Sequence, residues 1–173
     1  MGLWTVVGLL VLLAAAAATA AVVRGVMLGY PPGPLAGSML SAKEQAIIGT
    51  CADAMLPAGG SLPLSGTQAG VVAHFDAMVR GVPPPTRSLV RLLLYFVEHG
   101  PWLFGMRARL TRQSPDARVH TLRSWSRSPF YLLRISFMSL RTLLTMAYVA
   151  NAAVAARMGS PGPRAPRERG AAA

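Results

Sequence analysis

Apolar residues recur along this chain at helical spacing, and no segment shows the period-two alternation that is typical of a β-strand. After Ser41, the residues Ile47, Ile48, Cys51 and Met55 form a stripe at i, i+1, i+4 and i+8. A second stripe follows in residues 71–79, with a valine or a large apolar side chain at most positions of one face. The pattern therefore predicts an all-α fold with about five helices after residue 40.

Residues that favour the start or the end of a helix flank these stripes. Ser41 and Glu44 form a capping box, in which the serine hydroxyl and the glutamate each bond a backbone N–H of the first turn. A serine or threonine can cap each of the later helices, and two of these serines precede a proline at the first helical position. The predicted starts are Ser65 (with Gln68 as a second capping box), Thr86, Ser114-Pro115 and Ser128-Pro129.

The third predicted helix, residues 87–99, is apolar nearly all round, which predicts a central, buried position. Gly100-Pro101 is expected to end it, because this pair commonly follows a helix C-terminus. His99 would then lie at that C-terminus, where an imidazolium is stabilised by the helix dipole.

The first part of the chain is a charge-free segment, Gly2–Val23. Its 22 residues are enough to cross ~30 Å of hydrocarbon as a helix. We therefore expect residues 1–28 to form a transmembrane anchor and the protein to be a single-pass protein of the cell (inner) membrane. A cleaved signal peptide is the alternative, but the basic region that opens such signals is missing. Arg24 is the only nearby charge and favours a cytoplasmic body.

Three further segments complete the predicted organisation. Residues 29–40 are rich in proline and glycine and predict a linker, residues 41–159 form the helical domain, and residues 160–173 are expected to be disordered. A long apolar helix is predicted for residues 130–156. Arg134 and Arg141 would each cost about 2.5–3.5 kcal/mol near a bilayer centre, so a core helix is favoured over a second membrane span.

Charge is distributed unevenly over the chain, whose formal net charge is +11. Residues 101–157 contain nine arginines against Asp116 alone. Arginine next to an aromatic residue suits an acidic protein surface, anionic lipid or nucleic acid, and a solvated arginine-rich face is the structural alternative. Nucleic acid is disfavoured by the predicted anchor and by the lack of a binding motif. The cluster comprises Arg107, Arg109, Arg112, Arg118, Arg123 and Arg127, interrupted by Trp125.

Candidate catalytic or metal-binding residues are few. His74 and Asp76 are two positions apart, so on a helix their side chains point in different directions. Cys51 lies on an apolar stripe and is expected to be packed in the core. No metal-ligand spacing, dinucleotide fingerprint or phosphate-binding loop occurs. We therefore predict no catalytic, metal or cofactor site, although a small enzyme remains a minor alternative that an Asp76→Asn variant would test.

The segments LSAKEQAIIGTCADAMLPAGG and GTQAGVVAHFDAMVRG resemble the start of the small subunit of gluconate 2-dehydrogenase-type enzymes, the subunit 3 family. Residues 110–159 resemble the later half of that family. They are similar also to the helical region preceding the flavin domain in long-chain alcohol oxidases of the glucose–methanol–choline type. The resemblance covers about residues 40–159 and is a pattern of helices rather than one motif. The matching positions are Leu56-Pro57, Asp76, Ser114-Pro115, Arg118, Trp125, Ser128, Tyr148 and Gly159.

This resemblance implies a non-catalytic, all-α accessory subunit that binds a larger flavoprotein and helps to mature or localise it. The chain would bind no cofactor itself, and FAD would be held by the partner. Val149 and Ser160 replace aromatic residues of the family, and an apolar segment stands where the family often has a twin-arginine export signal. Exported members of the family would place the body outside the cytoplasm, whereas Arg24 favours the cytoplasm, so the side of the body stays open. The residues expected to bind the partner are Arg118, Arg123, Trp125, Arg127 and Tyr148. A stand-alone membrane-tethered protein whose arginine-rich face binds anionic lipid is the alternative.

Overall fold

The computed structural model describes residues 3–59, 64–106 and 108–159, and all regular structure in these residues is helical. The elements are α1 (Leu3–Met27), α2 (Ala42–Met55), α3 (Val71–Arg80), α4 (Pro84–Leu103), a 3-10 turn (Leu110–Arg112), α5 (Pro115–Ser126), α6 (Tyr131–Val149) and α7 (Ala152–Arg157). The predicted all-α class is confirmed for the described part of the chain. The predicted tail, residues 160–173, lies outside it.

The chain divides into two compact units, the first ending at Pro31 and the second beginning at Pro32. The first unit is the single helix α1, which is continuous over 25 residues. Its described apolar run, Val6–Ala21, is shorter than a membrane span. In the described residues, one helix, Tyr131–Val149, is long and apolar enough to cross a membrane, a criterion that core helices also meet. The N-terminal anchor thus stays a prediction.

The second unit is built around α2 and α6. Helix α2 packs against α3, α4, α5 and the 3-10 turn, and α6 packs against α3, α4 and α5. Their shared core is apolar and fully buried, so burial of this face, rather than helix propensity, holds the elements together. Its central side chains are Ile47, Ile48, Phe75, Leu94, Leu140 and Leu144. Cys51 is fully buried among them, as predicted.

Two of the predicted helix starts are confirmed. The Ser41 hydroxyl accepts a hydrogen bond from the Glu44 N–H, and the Glu44 carboxylate accepts one from the Ser41 N–H, which completes the capping box of α2. Ser114 caps α5 by accepting from the Ala117 N–H, with Pro115 at the first helical position. In both cases a serine in extended conformation satisfies an N–H that the helix itself leaves unpaired.

The other three predicted starts are wrong in position. Ser65 and Gln68 do exchange the two bonds of a capping box, but they close a turn, because Gly70 is left-handed (φ 73°) and α3 begins only at Val71. Helix α4 begins at Pro84 rather than after Thr86, since Pro83 to Pro85 have no N–H that would need a cap. Ser128 instead accepts a bond from the Phe130 N–H in a turn, and α6 begins at Tyr131.

The predicted end of α4 is also wrong. Gly100 and Pro101 lie inside the helix, which continues to Leu103. It ends in a Schellman motif, in which the Met106 N–H bonds the Pro101 carbonyl and the Gly105 N–H bonds that of Trp102. Gly105 has a φ of 87°, the left-handed conformation that this motif requires and that glycine adopts without strain. His99 consequently lies within the helix and is not its C-terminal residue.

Helices α4 and α6 are more exposed than the sequence predicts. Leu89, Leu92 and Leu103 of α4 are about two-thirds exposed, so α4 buries one face and is not a central helix. Helix α6 packs one face in the core, and about a third of its apolar window is buried. The long helix predicted for residues 130–156 is divided at Asn151, whose side chain accepts from the N–H groups of Ala153 and Val154 and so starts α7.

The second half of the predicted linker is bound to the helical body. Residues 29–40 contain no helix, as expected. However, Gln45 accepts a bond from the Leu35 N–H and donates to the carbonyls of Leu35 and Leu40, and Leu40 is buried. Residues 35–40 therefore belong to the folded body.

Candidate functional site

The buried acidic residues hold the fold together, which leaves none of them aimed at an open site. Asp76 accepts hydrogen bonds from the Ser38 hydroxyl (2.7 Å), from the Met39 and Leu40 N–H groups and from the Arg80 guanidinium. Burial alone would raise the pKa of Asp76, but the bonds from Ser38, Arg80 and Met39 outweigh it and lower that pKa. Asp76 thus fastens residues 38–40 to α3, a structural role that accounts for its polar surroundings.

A polar cluster joins α2, α4 and the 3-10 turn. Glu98 is fully buried and accepts a bond from the Thr111 hydroxyl (2.5 Å), and the Arg109 Nε lies 3.3 Å from its carboxylate. Beside this pair, the Lys43 Nζ lies 3.1 Å from the His99 Nε2. Burial, followed by the Lys43 charge, lowers the pKa of His99, which favours a neutral imidazole that accepts from the lysine.

A neighbouring set of contacts uses Glu44, which is buried. Its carboxylate pairs with the Arg91 Nε at 3.2 Å and accepts from the Tyr95 hydroxyl at 3.1 Å. Burial and the Glu44 charge raise the pKa of Tyr95, so the phenol is held as a neutral donor. Both clusters tie α4 to α2 and explain why charged residues occur in the core of this bundle.

No metal-binding group of three or more His, Cys, Asp or Glu side chains occurs among the described residues. Cys51 is the single cysteine of the chain, and burial strongly raises the pKa of its thiol. A thiol in this state has little thiolate and is a poor nucleophile or metal ligand.

The structure separates the five residues predicted to bind a partner into two groups. Trp125 and Tyr148 are 3% and 2% exposed, so in this fold they are core residues rather than parts of a contact surface. The Trp125 ring packs against Phe96 and faces Gly100, and the Tyr148 hydroxyl donates to the Leu64 carbonyl. Arg118 is half-buried and donates to the Thr111 carbonyl. Trp125 and Tyr148 are thus not surface residues in this fold, and the partner-binding role of all three residues stays a prediction.

Arg123 and Arg127 are both exposed; Arg123 lies in the last turn of α5, and Arg127 is the C-cap residue of that helix. In the arginine cluster, Arg109 is buried against Glu98, Arg112 is exposed, and Arg107 lies outside the described residues. The cluster is thus divided among core, surface and cleft rather than forming one face.

Arg123 and Arg127 line a cleft of about 540 Å³ together with Arg141 of α6. The C-terminal end of α2, α5 and α6 enclose this space, here termed the arginine cleft. Its wall combines these polar groups with apolar side chains, which include Met55, Val119, Leu122, Phe137 and Leu144. In the sequence, Arg141 is notable only because its charge disfavours a membrane span. Its position beside Arg123 and Arg127 depends on how α5 and α6 pack, which the sequence does not reveal.

A second surface feature is an apolar patch at the C-terminal end of α4 and the start of α6. The Phe104 and Phe130 rings lie 6.0 Å apart between centroids. Their neighbours in the chain are exposed too, and a shallow groove lined by Leu89 and Ile135 joins the outer faces of α4 and α6. We call this surface the α4–α6 patch; it comprises Leu89, Leu92, Trp102, Leu103, Phe104, Phe130, Tyr131, Leu132 and Ile135.

Comparisons with known proteins give no relative for this chain: no protein-family model, no curated protein and no solved structure matches it.

Proposed function

We propose that this chain is a membrane-anchored, non-catalytic accessory subunit that binds and helps to mature or localise a larger flavin-dependent enzyme of the glucose–methanol–choline type. FAD would be bound by that partner and not by this chain. The proposal combines the sequence resemblance of residues 40–159 with the use of the buried acidic side chains as structural ties. In it, α1 serves as the anchor in the cell membrane.

The observation that carries the proposal is the α4–α6 patch. Its four aromatic side chains are 47–70% exposed. At about 150–250 Å² per aromatic residue, they expose on the order of 450 Å² before any leucine is counted. The largest apolar patch of a typical monomer is about 300–600 Å², and larger ones mark interaction sites. A standard interface needs about 800 Å² per partner, which the added leucines of this patch help to supply.

The test is affinity capture of the tagged full chain from a detergent extract of its native membranes. A larger protein with flavin absorbance should be recovered at near-equal amount. The variant Leu103→Glu should lower this recovery strongly, since it places a charge in the middle of an apolar interface. Leu103 is 66% exposed, so the folded chain can accept the glutamate.

Met158→Glu is the matched control, because Met158 is also exposed (54%) and lies outside the patch. It should leave recovery unchanged. If no flavoprotein is captured under conditions that preserve other membrane complexes, the proposed function is wrong. Equal loss in both variants would exclude the patch as the docking surface.

A further inference from the structure

The arginine cleft carries three positive side chains with no acidic side chain among its lining residues. Arg123, Arg127 and Arg141 make no ion pair or side-chain hydrogen bond within the described residues. Asp53, near the end of α2, is engaged with the N–H and hydroxyl of Thr67. The cleft therefore concentrates positive charge that the described residues leave uncompensated.

Two helix C-termini point towards this region and reduce its positive potential without reversing it. Helix α2 ends at Met55 and α5 at Ser126, both lining the cleft. Each end contributes roughly −0.5 charge, against three guanidinium groups. The sum stays close to +2, so the cleft favours an anion even after the helix dipoles are counted.

The arrangement also has a cost when the cleft is empty. Arg123 lies in the last turn of α5 and Arg127 is the C-cap residue that follows this helix, so two like charges that repel each other line the same cleft. Arg141 adds a third cation from the facing helix. A bound anion would convert this repulsion into charge-assisted hydrogen bonds, which guanidinium groups form especially well with phosphate and carboxylate.

The cleft also presents accessible apolar side chains. Val119 is exposed, and Met55 and Phe137 are half-buried. A bare inorganic anion would leave this surface unused, whereas an acyl or alkyl chain would cover it. The volume of about 540 Å³ is within the usual range for small-molecule sites.

We infer that the arginine cleft binds one anionic amphiphile, with a phosphate or carboxylate headgroup paired to Arg123, Arg127 and Arg141 and its hydrocarbon chain on Met55, Val119 and Phe137. The shared chemistry fits an anionic phospholipid or a free long-chain fatty acid. The cleft lies on the α5 side of α6, and the α4–α6 patch on its α4 side, so this inference stands apart from the proposed function.

The experiment is native mass spectrometry of the purified full chain in mild detergent, titrated with dioleoyl-phosphatidylglycerol, oleate or dioleoyl-phosphatidylcholine. One molecule of an anionic probe should bind per chain, more tightly than phosphatidylcholine. The double variant Arg123→Gln/Arg127→Gln should bind about thirtyfold more weakly, at about fivefold per arginine near an anionic headgroup. Arg112→Gln/Arg157→Gln is the control of equal charge, since both residues are exposed and outside the cleft.

A second pair of variants keeps the charge constant. Thr145 is exposed and lines the cleft, so Thr145→Trp should fill the cleft and abolish one-to-one binding. Thr142 is exposed on the same helix outside the cleft, and Thr142→Trp should bind like the wild type.

Preference for phosphatidylglycerol identifies the membrane as the source of the ligand, and preference for oleate identifies a fatty acid; either outcome supports the site. The inference is overturned if neither anion binds better than phosphatidylcholine, if both double variants lose binding equally, or if Thr145→Trp binds like Thr142→Trp. Because the chain is studied without a partner, these results do not depend on whether a flavoprotein is captured.

Discussion

Replacement of Gly100 by alanine should destabilise the protein, although the same change stabilises most helices. In a helix interior, alanine is favoured over glycine by about 1 kcal/mol. At this position, however, the new Cβ would lie 2.5 Å from the Cη2 and 2.8 Å from the Cζ2 of Trp125. Trp125 is buried and its ring contacts Phe96, so it has little room to move.

Forcing an extra carbon into a packed core costs about 1–3 kcal/mol, occasionally more. After subtraction of the gain in helix propensity, Gly100→Ala should lower the free energy of unfolding by up to about 2 kcal/mol. The measurement is urea unfolding of the full chain in mild detergent, followed by far-ultraviolet circular dichroism. Because α1 and the helical body are separate units, the transition of the body is the one to compare.

A double-mutant cycle isolates the cause. Trp125→Phe alone should destabilise, because the smaller ring leaves a cavity. In that background, Gly100→Ala should become neutral or stabilising by up to about 1 kcal/mol, since the atoms that it would meet are gone. If Gly100→Ala stabilises the wild type, or destabilises both backgrounds equally, the steric explanation is wrong.

Two further predictions concern the polar contacts of the body. Asp76→Asn should lower the free energy of unfolding by about 1–3 kcal/mol and speed amide exchange at Met39 and Leu40, whereas Asp116→Asn on the surface should leave that exchange unchanged; unchanged exchange at residues 39–40 in Asp76→Asn would contradict the assigned role. The folded-state pKa of His99 is lowered below 6.5, so its contribution to stability is complete above about pH 6.5 and is lost as the pH falls through the folded value. Thermal unfolding across this range should show acid destabilisation that His99→Gln reduces; an identical pH profile in both proteins would refute this.

The all-α class of the fold follows from the sequence, whereas the wrong predictions concern the residues at which helices begin and end. Ser114-Pro115 and Ser128-Pro129 have the same pattern, yet only the first starts a helix. At the second, the Arg134 guanidinium donates to the carbonyls of Ser128 and Pro129 and holds them in a turn. Such a contact spans six residues and depends on a side-chain conformation, so propensity and spacing do not predict it.

The roles of Gly100 and Gly105 also depend on tertiary structure and are not predicted by the local sequence. Gly100 has the sequence context of a helix end, but its small size is required by a tryptophan on another helix. Gly105 has the positive φ that ends α4, a role that its sequence context does not indicate. A glycine can serve backbone freedom or close packing, and only tertiary structure distinguishes the two uses.

The residues of the candidate sites could likewise be predicted only in part from the sequence. The sequence pattern indicates arginine as the important residue type, and Arg123 and Arg127 do lie close together, in the last turn of α5 and at its C-cap. It grouped them with Trp125 and Tyr148, whose burial arises from contacts with α4 and with residue 64. The sequence pattern also does not identify Arg141 as their neighbour, because the spacing of residues within α5 or within α6 does not predict which residues of the two helices meet.

The buried thiol of Cys51 has a practical consequence for chemical mapping of this protein. Maleimide reagents attack thiolates that they can reach, and this thiol is fully enclosed with its ionisation suppressed. A cysteine introduced at an exposed position, such as Thr142 or Thr145, should therefore label selectively in the native sequence background. The wild-type chain thus supplies its own unreactive reference for labelling experiments that test the proposed membrane anchoring and the side on which the helical body would lie.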